Sequence, residues 1–339
     1  MLTKNPFEGK NEINVVFLGG SITEGYRSSS PEKSYAGICS SWFKSYFSSQ
    51  TVNCYNAGIG GTGSGFGAVR MDRDVLSHNP DMLFVEFAVN DGNKDSRATM
   101  DSIVRKALSA PKVPYIVFLY TTNNIYTTDS SFHEEVAAYY GIPSIDLQSA
   151  LKEKLDGADP IEKGLFLDSV HPLDGGFEIY AEAIIDRLND DSTYAKPVNK
   201  APISENTVLF SADFVPSPRY SYSSGFELRK GHRGYEALYT VTPGETVKFE
   251  FDGNFLALEG GLHRESALVD VEVVGESIAA IGFYYNMESF QTCFKEVTHS
   301  LPMGHHSVTL TVKAETAEAH PGSTLMLYHI ITGVANKAN

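Results

Sequence analysis

Residues 13–23 read Ile-Asn-Val-Val-Phe-Leu-Gly-Gly-Ser-Ile-Thr. The first six form a short apolar, β-branched run, and two glycines break it just ahead of a serine. Such a run suits a strand buried on both faces, the condition of a parallel sheet covered by helices. Outward from it, residues 52–55, 82–87, 115–120 and 142–147 have the same character, with helical segments expected at 35–47, 97–108 and 132–139. The clearest helix comes last. Phe177, Tyr180, Ala181, Ile184, Ile185 and Leu188 fall at i, i+3, i+4, i+7, i+8 and i+11, one apolar stripe. Five strands with intervening helices predict an α/β domain over residues 1–192, a three-layer α/β/α, flavodoxin-like arrangement around a five-stranded parallel sheet.

The stretch 193–204, with two prolines and no periodicity, reads as a linker. After it the period becomes two: Val247, Phe249 and Phe251 alternate with Lys248 and Glu250, and Val308, Leu310 and Val312 with Thr309 and Thr311. Turn signals at Pro243-Gly244, Asp252-Gly253-Asn254 and Gly260-Gly261 punctuate these runs. Residues 205–339 are therefore expected to form an all-β sandwich, jelly-roll-like. It carries Tyr220, Tyr222, Tyr235, Tyr284 and Tyr285, which serve either as an exposed platform for a sugar ring or as core packing.

Of the 339 residues 42% are hydrophobic, too many for a disordered chain, and no stretch approaches the roughly 18 apolar residues of a membrane-spanning helix. Asp and Glu number 42 against 27 Lys and Arg, an excess present in both halves. An acidic surface repels phosphate backbones and anionic membranes, so neither nucleic acid nor membrane is expected as a partner. Three cysteines cannot build a disulfide framework, and Cys39, Cys54 and Cys293 read as buried thiols. The polar first eleven residues lack the apolar core of a secretory signal, which predicts a cytoplasmic protein unless a signal has been removed.

Chemistry in an open parallel sheet gathers beyond the carboxyl ends of the strands. Ser21 lies just past the first, and its glycines allow a turn that presents the hydroxyl. The second strand runs into Asn56-Ala57-Gly58-Ile59-Gly60-Gly61-Thr62-Gly63, which lacks the Gly-Lys-Ser/Thr ending of a phosphate cradle but exposes backbone N–H groups of the kind an oxyanion needs. The third ends in Ala88-Val89-Asn90-Asp91, an amide side chain at the same edge. Before the last helix stands Asp168-Ser169-Val170-His171. An Asp three residues ahead of a His can bond one ring nitrogen and leave the other to take a proton from a serine.

Ser, Gly, Asn and Asp-x-x-His in this order resemble the SGNH hydrolases of the GDSL-type esterase superfamily, over about residues 13–188. The resemblance implies Ser21 as nucleophile, the Ser21 and Gly58 N–H groups and the Asn90 amide as oxyanion donors, and His171 as general base oriented by Asp168. Gly20 replaces the usual Asp of Gly-Asp-Ser, and Ala88 the Gly of Gly-x-Asn-Asp. An α/β-hydrolase elbow, Gly-x-Ser-x-Gly, is excluded because position 23 is Thr. His299, His305 and His306 lack the spacing of a zinc site, so neither metal nor cofactor is expected. Compact family members joined to a β-sandwich are similar to carbohydrate O-acetylesterases. This implies an acylated glycan or small molecule as substrate, in a chain that can form homo-oligomers. The alternatives are a lysophospholipase, thioesterase or other esterase on a non-sugar acyl group, and a catalytically silent glycan-binding protein.

Overall fold

The computed structural model describes residues 2–338 except 93, 232–233, 287, 289 and 314–321. The chain divides into two compact units, Met1–Leu209 with Lys337–Asn339, and Phe210–Asn336.

The first unit holds a parallel sheet of β1 (Glu12–Gly19), β2 (Thr51–Gly58), β3 (Met82–Glu86), β4 (Tyr115–Tyr120) and β5 (Ser144–Asp146), in the order β2-β1-β3-β4-β5. The helices are α1 (Ser21–Glu24), α2 (Tyr35–Tyr46), α3 (Ser64–Val69), α4 (Met71–Asp74), α5 (Ala88–Asp91), α6 (Arg97–Leu108), α7 (Ser131–Tyr140), α8 (Leu147–Lys154) and α9 (Asp174–Leu188). The order reverses at β1, between β2 and β3, and the crevice of such a sheet opens at that switch point. Register puts three strand ends side by side there, Gly19 opposite both Gly58 and Glu86. The apolar runs behave as expected: Val15, Phe17, Phe84 and Val117 are buried, with Phe17 stacked on Phe84 at 4.9 Å between centroids. The α9 stripe closes one face through Phe177, Tyr180, Ala181, Ile184 and Leu188, all buried.

The strand expected at 142–147 is only three residues long. Asp146 caps α8 instead, its carboxylate accepting the Ser149 N–H at 2.9 Å. Residues 193–209 are part of the first unit and not a free connection. Thr193 is buried, the Tyr194 ring packs edge-on against Phe7 and Tyr115, and the Val198 N–H reaches the Tyr140 carbonyl at 2.8 Å. Ile203 N–H at 3.0 Å and the Thr207 hydroxyl both donate to Asp101, which is fully buried on α6.

The second unit is built from β6 (Val208–Pro216), β7 (Ser221–Tyr222), β8 (Glu227–Lys230), β9 (Glu236–Thr240), β10 (Thr246–Gly253), β11 (Phe255–Leu262), β12 (Leu268–Val273), β13 (Glu276–Gly282), β14 (Gln291–Thr298), β15 (Gly304–Val312) and β16 (Leu325–Lys337). They form two antiparallel sheets, β13-β12-β15-β10-β7 and β14-β11-β16-β9-β8, with β6 on β16. Alternation drives the packing: Val247, Phe249 and Phe251 of β10 and Val308, Leu310 and Val312 of β15 enter a shared core. Of the five tyrosines, Tyr222 and Tyr285 are exposed. Tyr220, half-buried, packs on Phe249, and Tyr235, also half-buried, on Tyr328 and His329.

Candidate active site

Ser21 opens α1, directly after the β1 end. Its N–H is the first of the helix and so lacks an intrahelical partner. The preceding Gly20 has no room for a side chain: a Cβ there would lie 2.0 Å from Asn90 Oδ1 and 2.9 Å from Asn90 Cγ. The Asn90 amide, carried on α5 beyond β3, thus lies against the turn that presents Ser21. The sequence-predicted Ser21 and Asn90 are brought together across two adjacent strand ends.

The other half of the site is local. Residues 166–172 form a tight turn, with Leu167 N–H donating to the His171 carbonyl at 2.9 Å. Inside it the Asp168 carboxylate accepts the N–H groups of Val170 and His171, each at 3.0 Å, and its oxygens lie 2.8 and 2.9 Å from His171 Nδ1. That contact makes Nδ1 the protonated nitrogen and leaves Nε2 as an acceptor, 3.0 Å from Ser21 Oγ. Partial burial pushes the Asp168 carboxyl up, but the hydrogen bonds from Val170 N–H, the His171 ring and His171 N–H outweigh it and hold it below the usual aspartate range.

Gly58 does not fill the role expected of it. Its N–H donates to Asn56 Oδ1 at 2.9 Å, and a Cβ on it would lie 2.1 Å from the Glu24 nitrogen, so it serves close packing of β2 against α1. The following loop approaches Ser21 instead: a Cβ on Gly60 would be 3.5 Å from Ser21 Cβ. The Gly60 N–H is taken by Glu24 Oε2 at 2.9 Å. Gly61, at φ +72, has an N–H without a partner among the described residues. Side-chain bonding separates these three glycines: Asn56 and Glu24 hold the N–H groups of Gly58 and Gly60.

Beneath the turn lies Glu86, fully buried at the end of β3. It accepts from Thr23 Oγ1 at 2.9 Å, from Thr121 Oγ1 at 2.6 Å and from the Gly20 N–H. Burial raises its carboxyl above the ordinary range against these three donors. Asp91, next to Asn90, accepts the Ser64 N–H at 3.0 Å and lies 2.9 Å from His133 Nε2, joining α5 to α3 and α7. Sequence reading missed Glu86, Glu24 and His133, since each acts through contacts remote in sequence. Among the described residues no helix is long and apolar enough to cross a membrane.

Residues 17–179 match the GDSL-like Lipase/Acylhydrolase family. Among solved structures, a two-domain esterase active on acetylated mannans is similar over 97% of this chain and 93% of its own, at 22% identity and a TM-score of 0.76. The same esterase co-crystallised with mannopentaose gives 98%, 93%, 24% and 0.79. An acetylxylan esterase from Geobacillus stearothermophilus, as a catalytic mutant, is similar over 55% of this chain and 98% of its own, at 20% identity and a TM-score of 0.47. No curated protein sequence matches. The α/β domain of this chain, residues 17–179, belongs to the GDSL-like, or SGNH, hydrolase family.

Proposed function

We propose that the protein is a serine esterase that removes short acyl groups, foremost acetyl, from carbohydrate hydroxyls. The observation that carries the reading is the relay Asp168–His171–Ser21, with separations of 2.8 and 3.0 Å, at the switch point of the sheet. His171 Nε2 takes the hydroxyl proton as Oγ forms a bond to the ester carbonyl carbon. The electron pair of the carbonyl moves to its oxygen, where the Ser21 N–H, the Gly61 N–H and the Asn90 amide receive it. Collapse expels the sugar hydroxyl, protonated by His171, and water repeats the sequence on the acyl-enzyme. Asp168 keeps the imidazole in the required tautomer and balances its transient charge.

The short acyl group is supported by the loops. One residue joins β1 to α1, five join β2 to α3 and one joins β3 to α5, which leaves little chain there to line an acyl tunnel. The carbohydrate is supported by the two-domain fold shared with the acetylmannan esterase. A longer or non-sugar acyl group is the second reading, favoured by Leu167, 48% exposed beside Asp168. The test is acetate release from acetylated oligosaccharides beside an acyl-length series, with serine-directed phosphonate labelling. The proposal expects labelling lost in Ser21→Ala and kcat/KM falling beyond about four acyl carbons. Labelling elsewhere overturns the nucleophile, octanoyl preferred over acetyl overturns the acyl group, and absence of labelling favours a silent glycan-binding protein.

A further inference from the structure

The chain leaving α1 carries two residues in the left-handed region, Gly25 at φ +86 and Arg27 at φ +75. Glycine adopts this conformation freely, whereas in arginine the Cβ crowds the following carbonyl. Such strain persists where surrounding structure over-determines it, and it gathers at ligand sites. Here the bend has a definite result. Tyr26, between the two, donates its N–H to the Ser21 carbonyl at 2.9 Å and sets its ring edge-on to the His171 imidazole, centroids 4.8 Å apart. The Arg27 guanidinium lies 4.4 Å from the centre of the Tyr26 ring. A cation is thus stacked on an aromatic that itself touches His171.

Arg27 is exposed, and among the described residues no carboxylate pairs with it. Arg70, Arg73, Arg97, Arg187, Arg229 and Arg264 each pair with Asp or Glu, as an acidic chain would suggest. Stacking directs a guanidinium without neutralising it, and its planar fork matches a carboxylate. A strained, stacked and unpaired arginine beside the relay is arranged to meet an anion from outside the chain.

We propose that Arg27 recognises a carboxylate carried by the acylated substrate, making acidic esters the preferred ones. This rests on the esterase reading of Ser21. Two sources present the same group: a uronic acid beside the acylated sugar, or the free end of a dicarboxylic acyl group such as succinyl. Arg27 makes and breaks no covalent bond; its N–H groups donate to the carboxylate and set specificity.

The test uses the full chain and Arg27→Gln, Arg27→Lys and Arg27→Gly, the last suited to the left-handed backbone so that folding is preserved. Active sites are titrated with the phosphonate. The substrates are an acetylated neutral oligosaccharide, an acetylated oligosaccharide bearing uronic acid, para-nitrophenyl acetate and the para-nitrophenyl monoester of succinic acid. Arg27→Gln and Arg27→Gly should lose at least about tenfold in kcat/KM on one acidic substrate, through KM, as expected for one charge-assisted hydrogen bond. The neutral substrates should change by less than about twofold, added salt should shrink the difference, and Lys should fall between because it keeps the charge but not the fork. The acidic substrate that responds identifies the source. Equal losses on neutral and acidic substrates, or none on either acidic one, overturn the proposal. If the wild type labels at Ser21 but cleaves no acetylated glycan, the carbohydrate reading fails while the succinyl comparison still decides Arg27.

Discussion

At Gly20 a missing side chain has a chemical consequence. Because a Cβ there would displace the Asn90 amide, Gly20→Ala should lower kcat by about the 10²-fold typical of a lost oxyanion donor, as should Asn90→Ala. If both act through the same amide, Gly20→Ala should add little in an Asn90→Ala background, and steady-state kinetics of the double mutant checks this. Full additivity would place Gly20 in a separate role. Asp168 gives a test through pH. Its folded-state value is depressed, so its contribution to stability is present above the unfolded value of about 3.9 and is lost as pH falls through the lower folded value. The stability gap between wild type and Asp168→Asn should therefore persist at neutral pH and close only below about pH 4, as read by urea unfolding. At neutral pH the same substitution should lower kcat by roughly 10³-fold or more, since Asn no longer enforces the tautomer.

At the scale of elements, the turn that presents Ser21 is held from below by β3. Glu86 ties the start of α1 through Gly20 and Thr23, and the end of β4 through Thr121; Tyr35 of α2 joins the group through its hydroxyl, 2.7 Å from Thr23 Oγ1. The folded-state carboxyl is raised, so the native state binds its proton more tightly than the unfolded chain. Stability should fall as pH rises from the unfolded value of about 4.3 through the raised folded value, and that component should vanish in Glu86→Gln. Subtracting the two unfolding profiles isolates it from Asp74, Asp81 and Asp168, which are shifted the other way. A difference profile flat above pH 4 would mean that Glu86 is not raised. Glu86→Ala strands three buried donors and should cost about 2 kcal/mol or more.

For the whole molecule, the segment 193–209 decides where the first unit ends. A chain ending at 192 leaves the buried Asp101 without Ile203 N–H and the Thr207 hydroxyl. It should be less stable by about 3 kcal/mol than a chain ending at 209, measured by thermal or urea unfolding. Equal stability would make the segment a passive tether. Ser21, Asn90, Asp168 and His171 all lie in the first unit, so the chain ending at 209 should still cleave a small activated acetyl ester. If titrated enzyme loses this activity too, the second unit must contribute to the site.

What the sequence by itself determined follows from local or periodic patterns. The buried runs named the strands, the stripe from Phe177 to Leu188 named α9, and the strand-end rule singled out Ser21 and Asn90. Asp168 and His171 were legible together because three residues on one turn suffice to join them. The tertiary structure alone decided the rest. Helix α3, Ser-Gly-Phe-Gly-Ala-Val, has poor propensity and no stripe; Gly67 is there because a Cβ would lie 2.7 Å from the Phe87 ring. Of the Gly58, Gly60 and Gly61 N–H groups, Asn56 and Glu24 occupy the first two, and Glu24 lies 36 residues from its partner. Glu86, the attachment of residues 193–209 and the Tyr26–Arg27 bend answer to partners tens of residues away or to backbone strain. Such contacts leave no period in the chain: hydrophobic spacing records which face is buried, whereas a hydrogen bond records only which two groups folding brought within 3 Å.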